Sequence, residues 1–144
     1  MPPTTTYFYV YEKLPSLNDY INACRTNRFK AANLKSETEN IILLYLKEYE
    51  SKGYFSRLSN NTQYSFFFTW FEQTRRRDVD NVISAKKFVF DALQKGGYLA
   101  NDSQKHVFGI YDKVVINTNY SGVYVVVMPR KSVTSAEIVD FFAR

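Results

Sequence analysis

The sequence has little cysteine and no long hydrophobic run. It contains one cysteine, Cys24, which excludes an intramolecular disulfide framework and fits a reducing cytosol. We expect this thiol to be a small, partly buried apolar residue. No stretch of about 18 apolar residues occurs, and the N-terminus lacks the basic start and apolar segment of a secretion signal. We therefore expect a cytoplasmic protein that neither spans nor crosses a membrane.

Glycine and histidine are also scarce, with five glycines and one histidine. No P-loop, dinucleotide-binding glycine pattern, zinc-ligand spacing or internal repeat is present. These absences argue against nucleotide-dependent and zinc-dependent function, and we expect no small-molecule cofactor. The lone histidine, His106, is expected at a polar rim without a catalytic role. At 144 residues, the chain is expected to form a single domain over residues 1–144.

Positive charge and aromatic side chains are what the sequence has in quantity. Nineteen lysines and arginines against fourteen acidic residues give a net charge of +5. This balance favours a polyanionic partner, bound with an affinity that falls as salt rises. Most of the 12 tyrosines and 12 phenylalanines are expected in the core or at a subunit interface rather than on nucleic-acid bases.

Three aspartates form the strongest candidate site. Asp78 and Asp80 follow an aromatic run that alternates like a strand, so an extended Val79 would point both carboxylates to the same side. A helix from Asp80 that ends at Gly96-Gly97, and then a return of the chain, can bring Asp102 beside them. Three such oxygen donors suit Mg²⁺ or Mn²⁺. The alternative is ordinary capping and turn formation, with Asp80 as a helix N-cap.

Two groups of cations precede this candidate site in the sequence. The first is the run Arg75, Arg76 and Arg77, which either clamps phosphate beside the carboxylates or forms a solvated turn. The second lies upstream among asparagines and is either a contact surface for the phosphate backbone or a solvated basic loop. Its members are Arg25, Arg28, Lys30 and Lys35.

The order of these motifs resembles the RusA-type Holliday-junction resolvases, which are homodimeric nucleases of bacteria and prophages. The matching elements are Asp78-Val79-Asp80-Asn81, Lys87 to Asp91-Ala92-Leu93, Gly97, and Asp102-Ser103-Gln104. Residues 14–35 are similar to the basic N-terminal region in versions of this family from Gram-positive bacteria and their phages. The resemblance extends over most of residues 13–128, and the motifs of its central block are the part that is specific to the family.

The resemblance implies metal binding by Asp78, Asp80 and Asp102. Many members have Asp-Asp where this chain has Asn101-Asp102, and only the second position is carried over. In the best-known form of the family, a catalytic lysine follows the DxDN motif by three residues. The corresponding residue in this chain is Ser84. Lys87, four residues before Asp91, is the better candidate.

Two neighbours are expected to support this site. Asp91 either holds Lys87 toward the metals or makes an ordinary i,i+4 ion pair with it. Asn81, the last residue of the DxDN motif, is the other supporting residue.

The periodicity of the chain predicts four strands and four helices. Gln63–Glu72 is apolar on both faces and is expected to be a central or dimer-buried strand. Lys105–Ile116 and Gly122–Met128 are expected to form an antiparallel pair. The other predicted elements are a strand at Thr4–Glu12, helices beginning at Ser16, Ser36 and Asp80, and a last helix capped by Ser135.

These elements predict the α+β class, with helices packed on a small mixed sheet. The resemblance adds an intertwined homodimer and a metal-dependent endodeoxyribonuclease that resolves four-way DNA by symmetric paired nicks, in recombination and repair. Two other functions stay open. One is a non-catalytic module of the same fold that binds branched DNA. The other is a structural protein with a basic surface.

Overall fold

The computed structural model describes residues 5–143, which form five α-helices and four strands. The strands are β1 (Thr6–Val10), β2 (Tyr64–Glu72), β3 (Val107–Ile116) and β4 (Gly122–Pro129). The helices are α1 (Leu17–Thr26), α2 (Arg28–Ser51), α3 (Val79–Ile83), α4 (Lys86–Lys95) and α5 (Ser135–Ala143), with a 3-10 turn at Arg130–Ser132. The predicted α+β class is confirmed, and the predicted start of the first strand, Thr4, lies outside the described residues.

The four strands form one mixed sheet in the order β1-β4-β2-β3. β4 is antiparallel to both β1 and β2, whereas β2 and β3 are parallel. The predicted antiparallel pairing of β3 with β4 is therefore wrong, because β2 lies between them. β2 is buried along nearly its whole length, and its backbone groups are satisfied by a neighbour on each side. The parallel β2–β3 pair requires a long crossover, which α3 and α4 provide.

The core lies between one face of the sheet and the helices α2 and α4. Alternation along each strand sends every second side chain to this face. The strands contribute aromatic and β-branched side chains to this face, and the two helices cover them with aliphatic side chains and with Phe88 and Phe90 of α4. The buried cluster includes Phe8, Phe66, Phe68, Trp70, Val123, Val125, Ile42, Leu46, Val89 and Leu93. This packing fixes α4, and with it the polar side chains on the outer surface of that helix.

α1 and α2 follow each other almost without a break. Ser16 starts α1 as predicted, with a capping box in which Ser16 and Asp19 exchange hydrogen bonds. Asn27 then caps α2, and its side chain accepts a hydrogen bond from the Lys30 backbone at 2.7 Å. The predicted start of the second helix at Ser36 is thus eight residues too late.

The upstream basic segment is consequently helical, and of the two alternatives the solvated basic loop is wrong. Arg25 lies in the last turn of α1, and Arg28, Lys30 and Lys35 lie on the first part of α2. All four cations are exposed. A helix presents them at fixed positions, which a solvated loop does not.

The helix predicted from Asp80 is divided into α3 and α4 at Ser84. The Ser84 hydroxyl donates to the Asn81 carbonyl at 2.6 Å and accepts from the Leu17 backbone at 2.8 Å. The Asn81 side chain accepts from the Asn18 backbone at 3.3 Å. These bonds tie the start of α1 to α3 and explain the division. The predicted end at Gly96-Gly97 is confirmed, since Gly97 has φ +75°.

Three smaller predictions are wrong. Cys24 is exposed, because the buried position of this turn of α1 is Ala23. His106 is buried, since the loop before β3 turns inward, and the His106 carbonyl accepts from the Tyr64 backbone at 2.8 Å. The cap of α5 is Thr134 rather than Ser135, because the Thr134 hydroxyl accepts from the Glu137 backbone at 3.2 Å. Among residues 5–143, no helix is both long and apolar enough to span a bilayer.

Candidate functional site

Asp78 and Asp80 lie at the start of α3, just after the loop that leaves β2. Asp78 is the N-cap residue, with extended backbone angles of φ −64° and ψ 148°, and its side chain makes no capping hydrogen bond. Val79 is the first helical residue, so the expectation of an extended Val79 is wrong, as is Asp80 as the N-cap. Because Val79 is helical, the alternation of an extended strand does not direct the two carboxylates to the same side. Both carboxylates are exposed, and Asp80 lies in the first turn, where the helix dipole favours negative charge.

Asp102 lies in the loop between α4 and β3. The neighbouring Asn101 side chain accepts hydrogen bonds from the backbone and hydroxyl of Ser103, which fold this loop into a tight turn. The turn directs Asp102 toward α4, where its Oδ2 lies 3.3 Å from the Lys87 Nζ. The structure therefore brings together two of the predicted site residues that are fifteen positions apart.

Lys87 is held between two carboxylates. Its Nζ lies 3.1 Å from Asp91 Oδ1, one turn further along α4, and 3.3 Å from Asp102. The hydrogen bond to Asp91 raises the pKa of the Lys87 ammonium, the bond to Asp102 adds to the rise, and partial burial opposes it. Lys87 is thus a cation at neutral pH, paired with both carboxylates.

A cleft of about 230 Å³ opens beside Lys87. Leu17 and Tyr20 of α1 form one wall, and Lys35 of α2 forms another. The Lys35 Nζ lies 3.8 Å from Asp91 Oδ2, so a cation of the basic segment reaches the candidate site directly. The sequence did not indicate this contact, because it joins helices that are far apart along the chain.

In the part of the chain that the structure describes, the three aspartates do not form a cluster that could hold a metal ion. Within residues 5–143, no three side chains of histidine, cysteine, aspartate or glutamate lie close enough to hold a metal ion together. Asp102 is instead paired with Lys87. The oxygen donors have the chemistry that Mg²⁺ and Mn²⁺ prefer, but the three-aspartate metal site stays a prediction.

The arginine run divides into two exposed residues and one that is mostly buried. Arg75 and Arg76 are exposed at the mouth of the β2–α3 loop. Arg77 binds Glu72 with two hydrogen bonds of 2.7 and 2.9 Å, and it also donates to the Leu14 carbonyl at 3.4 Å. This guanidinium holds the end of β2 to the segment before α1. The exposed pair Arg75 and Arg76 is therefore better placed than Arg77 to contact phosphate.

One polar network near the site was missed by the sequence analysis. The Lys86 Nζ lies 2.7 Å from Asp112 Oδ2 on β3, and the Trp70 indole donates to Asp112 Oδ1 at 2.8 Å. The network joins α4 to β2 and β3. A lone aspartate in an apolar strand is a weak signal, and its partners follow only from the parallel register of β2 and β3.

The family of the protein follows from a comparison with protein-family models. The model described as Endodeoxyribonuclease RusA matches residues 4–128. The chain belongs to the RusA family. The match covers α1 to α4, essentially the whole sheet and all the candidate site residues, and α5 lies beyond it. No curated protein matches the chain.

Membership of the RusA family has a direct functional meaning. The family is one of endodeoxyribonucleases, and it implies an endonuclease that resolves Holliday junctions. The predicted family relationship is thus confirmed over most of the chain. The individual roles of Asp78, Asp80, Asp102 and Lys87 stay predictions.

Proposed function

We propose that the protein is a divalent-metal-dependent endodeoxyribonuclease that resolves Holliday junctions by paired nicks at symmetric positions. The proposal depends above all on one contact. Lys87, the candidate catalytic lysine, lies 3.3 Å from Asp102, for which the motif resemblance implies a metal-binding role. A cation and a carboxylate brought together from α4 and the next loop are what phosphodiester hydrolysis needs at one place.

In this proposal Asp78, Asp80 and Asp102 hold Mg²⁺, or alternatively Mn²⁺. Bound divalent ions would activate a water molecule and stabilise the leaving 3′ oxygen. Lys87 offsets the negative charge that develops on the scissile phosphate. Because Asp102 is paired with Lys87 in this structure, a cation bound by Asp102 competes with that ion pair.

Asp91 and Asn81 support the proposed site through their hydrogen bonds. Asp91 Oδ1 lies 3.1 Å from the Lys87 Nζ, so it would still bind this lysine if Asp102 were engaged by a metal ion. Asn81 binds the Asn18 backbone at the start of α1, so it holds α3 against that helix. Such supporting contacts orient the groups that perform the chemistry.

The exposed cations provide the proposed DNA contacts. Phosphate contacts of this kind position a protein on DNA without reading its sequence. With a net charge of +5, affinity for the junction should fall as salt concentration rises. The proposed contact residues are Arg25, Arg28, Lys30, Arg75 and Arg76, with smaller contributions from Lys35 and Arg77 because both are engaged in ion pairs.

We further propose that the protein works as a homodimer in the cytoplasm, in recombination and repair. A four-way junction has two strands to cut in a symmetric way. A two-fold dimer presents two identical sites with the same symmetry. Each subunit then makes one of the two nicks.

The test is incubation of purified protein with a labelled mobile four-way junction, with and without Mg²⁺. We expect paired nicks at symmetric positions that require the metal. Asp102→Asn should abolish cleavage and still bind the junction, because the exposed side chain changes charge but not size. Glu48→Gln, an exposed change at the far end of α2, should cleave like the wild type. Equal cleavage by Asp102→Asn and the wild type would contradict the proposed role of Asp102.

A second candidate function is a non-catalytic module that binds branched DNA. The observation that favours it is the absence, within the described residues, of a three-carboxylate group, together with the pairing of Asp102 with Lys87. This candidate predicts that the wild-type protein binds junctions and leaves them intact in both Mg²⁺ and Mn²⁺. Cleavage in either metal eliminates it.

A further inference from the structure

Six side chains of alternating charge form a continuous row from the end of α4 to the candidate site. The row begins at Lys95 in the last turn of α4 and crosses to α2. It then returns to α4 and ends at Asp102. Its members, in order, are Lys95, Glu39, Lys35, Asp91, Lys87 and Asp102.

The two inner carboxylates each bridge two lysines with different oxygens. Glu39 faces Lys95 with Oε1 and Lys35 with Oε2, both at 3.9 Å. Asp91 faces Lys35 with Oδ2 at 3.8 Å and Lys87 with Oδ1 at 3.1 Å. Lys35 and Lys87 therefore share the Asp91 carboxylate, each on its own oxygen.

Glu39 is the anchor of this row. Its side chain is only 9% exposed, and Oε2 has no hydrogen-bond partner among the described residues. A buried carboxylate is unfavourable unless cations compensate for its charge. Within the described part of the chain, the cations within 4 Å of it are Lys35 and Lys95. This requirement holds Lys35 at the α2–α4 interface, although 48% of its side chain is exposed.

We infer that Lys35 is a positioning residue for the reaction of the proposed nuclease: anchored by Glu39, it orients Asp91 so that Lys87 stays at Asp102. The inference rests on the proposed function, and it makes positioning, rather than the smaller phosphate contact proposed above, the main role of Lys35. Lys87 is 67% exposed, so few packing contacts restrain its long side chain. Its orientation depends on the two carboxylates, and the orientation of Asp91 depends on Lys35.

The kinetic test compares three lysines of α2 in single-turnover cleavage of a four-way junction. Lys35→Gln should lower the cleavage rate about 10- to 100-fold, the usual effect of removing a supporting partner, with little change in junction affinity. Lys30→Gln, which removes an exposed cation outside the row, should weaken binding and leave the rate of the bound complex unchanged. Lys47→Gln should change neither quantity, and Lys35→Arg should restore most of the rate. If Lys35→Gln weakens binding without slowing cleavage, as expected for Lys30→Gln, Lys35 is a phosphate contact and the inference is wrong.

A second measurement does not depend on activity. Amine acetylation of the folded protein, read by mass spectrometry, reports how freely Lys87 moves away from its carboxylates, with Lys47 as the reference in the same molecule. Lys35→Gln and Glu39→Gln should each raise the labelling of Lys87 several-fold. Equal labelling of Lys87 in Lys35→Gln and the wild type overturns the inference. If the wild type cuts no junction but this labelling still rises, the proposed nuclease fails while the positioning of Lys87 by Lys35 stands.

Discussion

Replacing Arg77 with methionine should destabilise the protein strongly. Arg77 donates two short hydrogen bonds to Glu72 at the end of β2 and a third, of 3.4 Å, to the Leu14 carbonyl before α1. The side chains of Arg77 and Glu72 are 17% and 8% exposed. Removal of one partner of a buried ion pair leaves the other charge uncompensated, which typically costs about 3 to 5 kcal/mol. Because Arg77 retains some exposure, we expect a loss of about 3 kcal/mol in the free energy of unfolding.

Urea denaturation measures this loss, and two further variants define its origin. Arg76→Met, at the exposed neighbour, should change the free energy of unfolding by no more than about 0.5 kcal/mol. The double variant Glu72→Met with Arg77→Met removes both charges and should recover much of the stability, since two apolar side chains leave no unpaired charge. A loss below about 1 kcal/mol for Arg77→Met alone would refute the reasoning, as would a double variant with a fully additive loss.

The same variants separate the structural role of Arg77 from DNA binding. Arg76→Met should weaken junction binding, because its side chain is exposed and can meet phosphate. Arg77→Met, assayed where it is fully folded, should bind the junction nearly as well as the wild type. Equal weakening by the two changes would show that Arg77 contacts DNA despite its pairing with Glu72.

Two further predictions concern stability. Gly122→Ala should lower the free energy of unfolding by more than about 2 kcal/mol in urea titrations, because a Cβ there would lie 2.1 Å from the Val10 carbonyl oxygen. Gly53→Ala, also at positive φ but with open space around it, should cost only about 1 kcal/mol, and similar losses would contradict the steric argument. Burial and the hydrogen bond to Glu50 raise the pKa of Tyr98 from 10.0 to about 12, so the folded state keeps a proton that the unfolded state releases. The contribution of Tyr98 to the free energy of unfolding is therefore present below pH 10 and is lost between pH 10 and about 12. Over this range the melting temperature of Tyr98→Phe should fall less than that of the wild type.

Local features of the fold were predictable from the sequence. β2 is apolar on both faces, which correctly indicated a buried central strand. Ser16 and Gly96-Gly97 marked helix ends through interactions that need only neighbouring residues. The start of α2 was predicted too late because the charged, asparagine-rich sequence around Asn27 looks like a loop, although that asparagine is an effective cap.

Features that depend on contacts between distant elements were not predictable in this way. The pairing of β3 with β2 instead of β4 requires knowledge of which strands neighbour each other. The contact between Lys87 and Asp102 was anticipated only as proximity, through the motif order. The contribution of Glu39 was not anticipated, because a glutamate on a helix is usually solvated, and only the packing of α2 on α4 buries it.

The position of β4 in the sheet has a consequence for how the protein is made. β4 separates β1 from β2, and Phe8 lies opposite Val125 across this pairing. Strands joined over such long loops close slowly, since much of the chain must be ordered before they meet. During synthesis, β1 and β2 leave the ribosome long before the strand that joins them. The nascent chain therefore exposes the edges of β1 and β2 that pair with β4 until translation has passed Pro129.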